Sequence, residues 1–313
     1  NGLFACIAAE DLNAVHLDYI QAFPTTDIDR PLWIRLPKDF GGKVKRLKKM
    51  LYGMKQASFG FIKMVGDALI EFGFVKSKSD PCVFIYQTNE PVWLLNKEGQ
   101  QVTDPKERDQ IYSQPTATSY DSKGNVIGYQ LLGANDQPLC HKIIIGQYVD
   151  DCLIGYSRDN PLMEELYEFL REKGHKFTVE EMNFFLNMAV KRKRQERKLT
   201  LSQRQHMEKV VEDILGQDAE KINSRETPLP DGYMPEPSAD HAGDRLAMTE
   251  EIKSNYRSWT ASLLWISRTV PEIKFAVGQL CRHMQNPSVD HINDVKKVAR
   301  YLVVNLDRGL TFT

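Results

Sequence analysis

Apolar residues recur with two different periods along this 313-residue chain, and the changes of period outline its elements. Ile143-Ile144-Ile145-Gly146 and Cys152-Leu153-Ile154-Gly155 are apolar runs on either side of Tyr148-Val149-Asp150-Asp151, which predicts two buried strands joined by a tight turn with its acids at a rim. Ala14-Val15-His16-Leu17-Asp18 is a shorter strand that also ends in an acid, and the apolar Gly2–Glu10 segment reads as the end of a helix feeding it. Leu32–Leu36, bracketed by Pro31 and Pro37, alternates like an edge strand. Ile62, Val65, Leu69 and Phe72 fall at helical spacing before Gly73, and Val83–Tyr86 is a strand. Asp159-Asn160-Pro161 caps a helix whose buried face is Leu162, Leu166, Phe169 and Leu170, ended by Gly174. Phe184–Val190 and Leu199–Leu201 predict a hairpin around the basic turn Lys191–Lys198. Ser202-Gln203-Arg204-Gln205 reads as a capping box that opens a helix with Met207, Val210, Val211, Ile214 and Leu215 inward. Three amphipathic stripes follow, Tyr256/Trp259/Leu263/Ile266, Ile273/Val277/Leu280/Met284 and Ile292/Val295/Val298/Leu302, and their aromatic and Met content reads as core.

Two stretches break this pattern. Gln87–His141 is polar, with strand-like pieces at Val92–Leu95 and Val126–Leu132; a structureless loop of that length is unusual inside a domain, so it should carry hairpins or be disordered. Asn223–Thr249 contains four prolines and scattered acids and reads as a linker. A hydrophobic fraction of 42% supplies a real core. No apolar run is long enough to cross a bilayer and the first residues do not make a signal peptide, so a soluble chain with no membrane partner is expected. Cys6, Cys82, Cys140, Cys152 and Cys281 lie far apart, which indicates neither a disulfide framework nor a zinc site. The net charge of −1 gives no global nucleic-acid signature, so any such binding must come from local basic patches.

Asp-Asp between strands is ordinarily a turn signal. A second isolated acid at the end of another strand changes that reading, because carboxylates at neighbouring strand ends suit Mg²⁺, a hard cation that takes oxygen ligands and substrate phosphates. Tyr148-Val149-Asp150-Asp151, His16-Leu17-Asp18-Tyr19-Ile20-Gln21-Ala22-Phe23 and Leu47-Lys48-Lys49-Met50-Leu51-Tyr52-Gly53-Met54-Lys55-Gln56-Ala57 together resemble the reverse transcriptase of copia-type LTR retrotransposons, and the last block is the most specific. Further matches run through Thr200–Gln203, Tyr256-Arg257, Ser262–Trp265, Pro271–Val277 and Arg300–Leu302.

The resemblance implies an α+β fold: a polymerase palm-like antiparallel sheet backed by helices over residues 1–201, with an insertion at about 88–141, a primer-grip hairpin at 184–201, a thumb-like helix at 202–222, a linker at 223–249 and a helical thumb or connection region at 250–313. The N-terminal fingers are expected to be largely absent, which would leave the fragment a weak polymerase. It implies RNA-directed DNA polymerisation with Asp18, Asp150 and Asp151 as catalytic and metal-binding carboxylates and two Mg²⁺ ions, Mn²⁺ being the alternative. The backbone N–H groups of Tyr19 and Ile20 would cradle the triphosphate, Phe23 would lie under the sugar and clash with a 2′-hydroxyl, and Gln56 would contact the nucleotide. Leu186, Asn187 and Met188 would form the primer grip, and Lys48, Lys49, Lys55, Lys191, Arg192 and Lys193 would touch the nucleic-acid backbone. The implied partners are an RNA or DNA template with primer, dNTPs, and the rest of a Pol polyprotein, with integrase upstream and ribonuclease H downstream; the implied location is a cytoplasmic virus-like particle or the nucleus. Pro24, Ser58-Phe59, Asn187 and Val270 depart from the family pattern. Those departures keep open a catalytically decayed nucleic-acid-binding or assembly module of the same fold; another two-metal palm-type nucleotidyl transferase or cyclase is a separate alternative, disfavoured by the block around Gln56 and the thumb-like C-terminal helices.

Overall fold

The structure, a computed structural model, describes residues 2–28, 30–96, 98–111, 116–132, 138–158, 160–216, 225–235 and 249–313. The chain divides into two compact units, one formed by Asn1–Phe185, Arg192–Leu199 and Phe312–Thr313, the other by Leu186–Lys191 and Thr200–Thr311.

The first unit opens with helix α1 (Gly2–Ala9) and is built on a mixed α/β core. Strands β1 (Asn13–Tyr19), β4 (Val75–Lys76), β5 (Val83–Pro91), β8 (Cys140–Tyr148), β9 (Asp151–Tyr156) and β10 (Phe177–Glu181) form one antiparallel sheet in the order β10-β1-β9-β8-β5-β4. Side chains alternate across it. One face carries Leu17, Tyr19, Phe84, Ile143, Ile145, Cys152 and Ile154, buried together with Phe61, Val65 and Leu69 of α3 (Ala57–Phe72) and Leu166 and Leu170 of α5 (Leu162–Glu172). Each such buried aliphatic or aromatic side chain contributes about 1.5–3 kcal/mol, so this layer holds the sheet flat against its helices. The spacing that predicted α3 holds, including its end at Gly73, whose φ of 118° only glycine adopts without strain.

The other face is covered by α1, and two glycines allow it. A Cβ on Gly155 would lie 2.8 Å from Ile7 Cγ1, and one on Gly146 would lie 2.8 Å from Leu3 Cδ2. A side chain at Gly155 would force Ile7 of α1 to shift, whereas one at Gly146 would displace only the tip of Leu3. The five cysteines are free.

Small elements surround this core. α2 (Ala22–Thr25) follows β1, and β2 (Trp33–Arg35) pairs with β3 (Val44–Arg46) in a separate hairpin. The polar stretch after β5 has a centre of its own: Val92, Leu94, Val102, Tyr129 and Leu131 form a small buried cluster beside the hairpin of β6 (Thr116–Tyr120) and β7 (Val126–Leu131). The expected strand at Val92–Leu95 is reduced to single bridges at Trp93 and Leu95, and α4 (Pro105–Ile111) buries nothing. Residues 97, 112–115 and 133–137 of this stretch lie outside the described residues, as does Asp159 of the expected cap; Pro161 occupies the N-cap position of α5 without a side-chain cap, and Asn160 Oδ1 accepts from Leu162 N at 3.1 Å.

The predicted Phe184–Val190 strand is split. β11 (Phe184–Phe185) and β12 (Met188–Lys193) are separated by Leu186 and Asn187 at φ 48° and 60°, a two-residue turn in the left-handed region that the apolar pattern hides. β13 (Lys198–Ser202) follows the basic turn.

In the second unit, α6 (Arg204–Leu215), α7 (Glu250–Ile266), α8 (Lys274–Cys281) and α9 (Val289–Val303) bury their apolar stripes in one cluster. Val270, a departure from the family pattern, is fully buried there. The capping box expected at Ser202 does not form: Ser202 still belongs to β13, and Gln203 occupies the N-cap position without a side-chain cap. A capping box closes instead at Ser288 and His291. Of the expected linker, 225–235 is without helix or strand but anchored, with Leu229 against the cluster and Tyr233 Oη donating to buried Asp294 Oδ2 at 2.9 Å; 223–224 and 236–248 lie outside the described residues.

Because the polar stretch has its own cluster, replacing Glu90–Gln137 by a short Gly/Ser linker should leave cooperative unfolding intact, the loop-closure term growing only slowly with length. Loss of a cooperative transition in chemical denaturation would show that the stretch belongs to the main core.

Candidate active site

The β8–β9 hairpin closes through two residues, Val149 and Asp150, between the paired Tyr148 and Asp151. Val149 sits at φ 59°, a left-handed conformation that a β-branched residue rarely adopts and that costs on the order of 1–3 kcal/mol. The strain is held in place from the neighbouring strand, since Tyr19 N donates to Asp150 O at 3.0 Å. β1 pairs with β9 so that Asp18 stands opposite Asp151, and His16 opposite Leu153. Alternation then puts His16, Asp18 and Asp151 on the face away from α3 and α5. The structure thus brings the three predicted carboxylates to one end of one sheet.

Two neighbours of the carboxylates escape sequence reasoning. His16 Nε2 lies 2.7 Å from Asp151 Oδ1, and its ring stands edge-on to Phe185 at 5.8 Å. Its place two residues before Asp18, hence on the same face, is the signal that could have found it. Glu180 of β10 pairs with His16 and adds negative charge near Asp18; no local pattern marks it. The Asp18 carboxyl is held above the ordinary carboxylate range, first by partial burial and then by Asp151, with His16 opposing and Asp150 and Glu180 adding to the rise. Burial, then Asp151 and Asp150, also pushes the Cys152 thiol up, which keeps it un-ionised.

This donor set fits a hard divalent cation in kind: acidic oxygens lie near one another and carry like-charge repulsion that His16 offsets only in part. Among the described residues, however, no three His, Cys, Asp or Glu side chains converge into a metal-holding group, and one oxygen of Asp151 is already engaged by His16.

Other expected site residues fare differently. The N–H of Tyr19 is donated to Asp150 O and that of Ile20 to Lys176 O at 2.8 Å, so the anion cradle expected of these two amides is corrected. The amides that follow, at Gln21 and Ala22, stand at the start of α2, where a first turn lacks intrahelical acceptors. Phe23 is buried, its ring edge-on to Tyr52 at 4.7 Å and to Phe61 at 6.3 Å. Gln56 is half-buried at the N-cap of α3. Pro24 falls inside the first turn of α2, where the missing N–H does no harm.

The basic residues divide. Lys48 and Lys55 are exposed. Lys49 is committed to Asp27 at 2.7 Å and to Thr25 O, and Lys193 pairs with Glu196 at 3.1 Å. Arg192 is not free to meet a nucleic-acid backbone: it donates to Ile7 O in the last turn of α1, to Leu12 O in the connection between α1 and β1, and to Asp11 Oδ1 at 2.8 Å, and burial followed by Arg194 lowers its pKa to about 10. Buried Asp11 also accepts from Arg158 at 2.8 Å and Arg194 at 3.4 Å. Leu186, Asn187, Met188 and the exposed Lys191 belong to the second unit. Asn187 takes a left-handed conformation, which Asn tolerates better than most residues with a side chain.

The structure thus sets paired carboxylates beside a strained turn at one end of one sheet. No family model matches the chain. Curated relatives do: it is 26% identical over 299 residues, 94% of its length, to the retrovirus-related Pol polyprotein from transposon RE2 of Arabidopsis thaliana. It is 26% identical over 88% of its length to that from transposon RE1 of the same plant, and 26% identical over 96% to that from transposon TNT 1-94 of Nicotiana tabacum. The chain spans less than one-fifth of the length of these relatives. The copia-type Pol resemblance read from the motifs is therefore found again, as whole-sequence similarity over about nine-tenths of the chain.

The raised proton affinity of Asp18 has a sign that can be tested. The folded chain binds this proton more tightly than the unfolded chain, so stability falls as pH rises from the ordinary carboxylate value through the raised one. In EDTA at pH 7, Asp18→Asn should therefore raise the unfolding temperature, the advantage fading below roughly pH 4. Scanning calorimetry that finds the variant less stable at pH 7 would contradict this account of the site.

Proposed function

We propose that this chain is the core of an RNA-directed DNA polymerase of a retroelement, with the six-stranded sheet as its palm. The observation that carries the reading is the strand register that sets Asp18 opposite Asp151 beside the turn bearing Asp150. The whole-length similarity to retrotransposon Pol polyproteins supports it.

In this reading Asp18 and Asp150 hold two Mg²⁺ ions, or Mn²⁺, which when bound would neutralise phosphate charge and acidify the primer 3′-hydroxyl. Asp151, one oxygen engaged by His16, takes a supporting place. Gln56 contacts the nucleotide, while the amides of Tyr19 and Ile20 serve the fold instead. Phe23, fixed by Tyr52 and Phe61, is a wall that cannot swing aside for a 2′-hydroxyl. Lys48, Lys55 and Lys191 meet backbone phosphates of template or primer. Such sites work by positioning and charge neutralisation, so small displacements of the carboxylates matter more than their mere presence.

Primer extension with dNTPs and Mg²⁺ is the test. Asp150→Asn should lower the rate by orders of magnitude while the thermal unfolding transition is kept, because it removes a charge at a half-exposed turn and no core contact. Extension at the wild-type rate would remove the polymerase reading and leave a nucleic-acid-binding or assembly module of the same fold. Phe23→Ala should raise the ratio of ribonucleotide to deoxyribonucleotide kcat/KM, and an unchanged ratio would return Phe23 to ordinary core packing.

A further inference from the structure

We propose that the β2–β3 hairpin is a binding site for single-stranded nucleic acid, separate from the carboxylate site. The observation that prompts it is a face with no interior role. Trp33 pairs with Arg46 and Arg35 with Val44, so these four side chains share one face, with Ile34 and Lys45 on the other. Trp33 is 65% exposed and Val44 52%, and at the hairpin's far end Phe40 is 73% exposed. The backbone beneath them is ordered by hydrogen bonds from Leu36 N to Lys43 O at 3.0 Å and from Leu47 N to Leu32 O at 2.9 Å.

The charge is as lopsided as the hydrophobicity. Residues 30–49 carry eight Lys and Arg against one Asp in a chain whose net charge is −1. Lys49 is held by Asp27, but among the described residues no ion pair involves Arg35, Lys43, Lys45, Arg46 or Lys48. A polyanion is therefore the complementary partner. The exposed ring selects which one: a base stacks on Trp33 only if it is not already stacked in a duplex, while Arg46 directly opposite and Arg35 two residues along take the flanking phosphates. An acidic protein would satisfy the cations but gives the ring no stack of flat bases.

The proposal borrows from the polymerase reading only the expectation that a nucleic acid reaches this surface, and the test avoids the metal site. Fluorescence anisotropy is measured in EDTA with a labelled dT oligomer of about 12 nucleotides, within the span such sites cover, an abasic oligomer of equal charge, and a blunt duplex of the same length. The dT oligomer should bind more tightly than either control. Trp33→Ala should weaken dT binding about tenfold and leave the abasic oligomer unchanged, whereas Trp33→Phe should restore most of it. Arg46→Gln should weaken both oligomers and flatten the salt dependence by about one phosphate contact. Asp18→Asn/Asp150→Asn protein should bind dT as the parent does, so failure of the polymerase reading and of this one are separable. Equal loss on dT and abasic oligomers after Trp33→Ala, no loss at all, or a preference for the duplex would overturn the proposal.

Discussion

A slip of one residue between β1 and β9 would turn Asp18 under α3 and α5 and drive Leu17 out to the rim, because side chains in a strand alternate with a period of two. The candidate site therefore depends on register. Three constraints fix it. Leu17, Tyr19, Cys152 and Ile154 are buried on one face, and exposing them would forfeit several kcal/mol. Gly155 must face Ile7, since any other β9 residue in that place would meet α1 with a side chain. Tyr19 N must reach Asp150 O, which ties the turn to β1. Each acts on a different part of the pair, so no single substitution releases all of them.

The carboxylates and the cations are kept apart by how the chain distributes its charge. Asp11, buried in a left-handed conformation just after α1, gathers Arg158, Arg192 and Arg194, drawn from segments some 150 to 180 residues away. One buried acid facing three partly exposed guanidinium groups is a costly arrangement unless hydrogen bonds satisfy them, and Arg192 finds its bonds on Ile7 O in the last turn of α1 and on Leu12 O just before β1. The basic turn thus works as a structural clasp. The acids at the other end of β1 are left with His16 as their only close basic partner among the described residues, and their mutual repulsion survives folding.

Legibility followed the range of the interaction. The β8–β9 hairpin, α3 with its closing glycine and the apolar stripes of the second unit could be read because the information is local: period, turn chemistry and a helix stop. The carboxylate pairing was legible through motif resemblance, since nothing in the residues 18 and 151 says that they are neighbours. What stayed hidden is what distant partners decide. The Tyr19 and Ile20 amides look available until Asp150 and Lys176 are placed beside them. Arg192 looks like a solvated cation until Asp11 and the end of α1 arrive. The split between Phe185 and Met188 was hidden for another reason: Leu186 is a poor residue for the left-handed region, and an apolar run gives no warning that it will be forced there.

That last failure carries information. Leu186 and Val149 are both apolar and both left-handed, one among the residues that the resemblance assigns to a primer grip and the other beside Asp150, and neither has the residue type that would make its turn cheap. A sequence selected for stability alone would place Gly or Asn at such points, as it does at Gly41, Gly53 and Gly73. Strain persists only where the surroundings over-determine it. At Val149 they do: paired strands on both sides and the bond from Tyr19 leave the turn one way to close. Asp150 is consequently presented by a turn that cannot relax without unpairing the β8–β9 hairpin. A rigid mount of this kind is what the proposed polymerase role would ask of Asp150, since there the position of the acid matters as much as its charge.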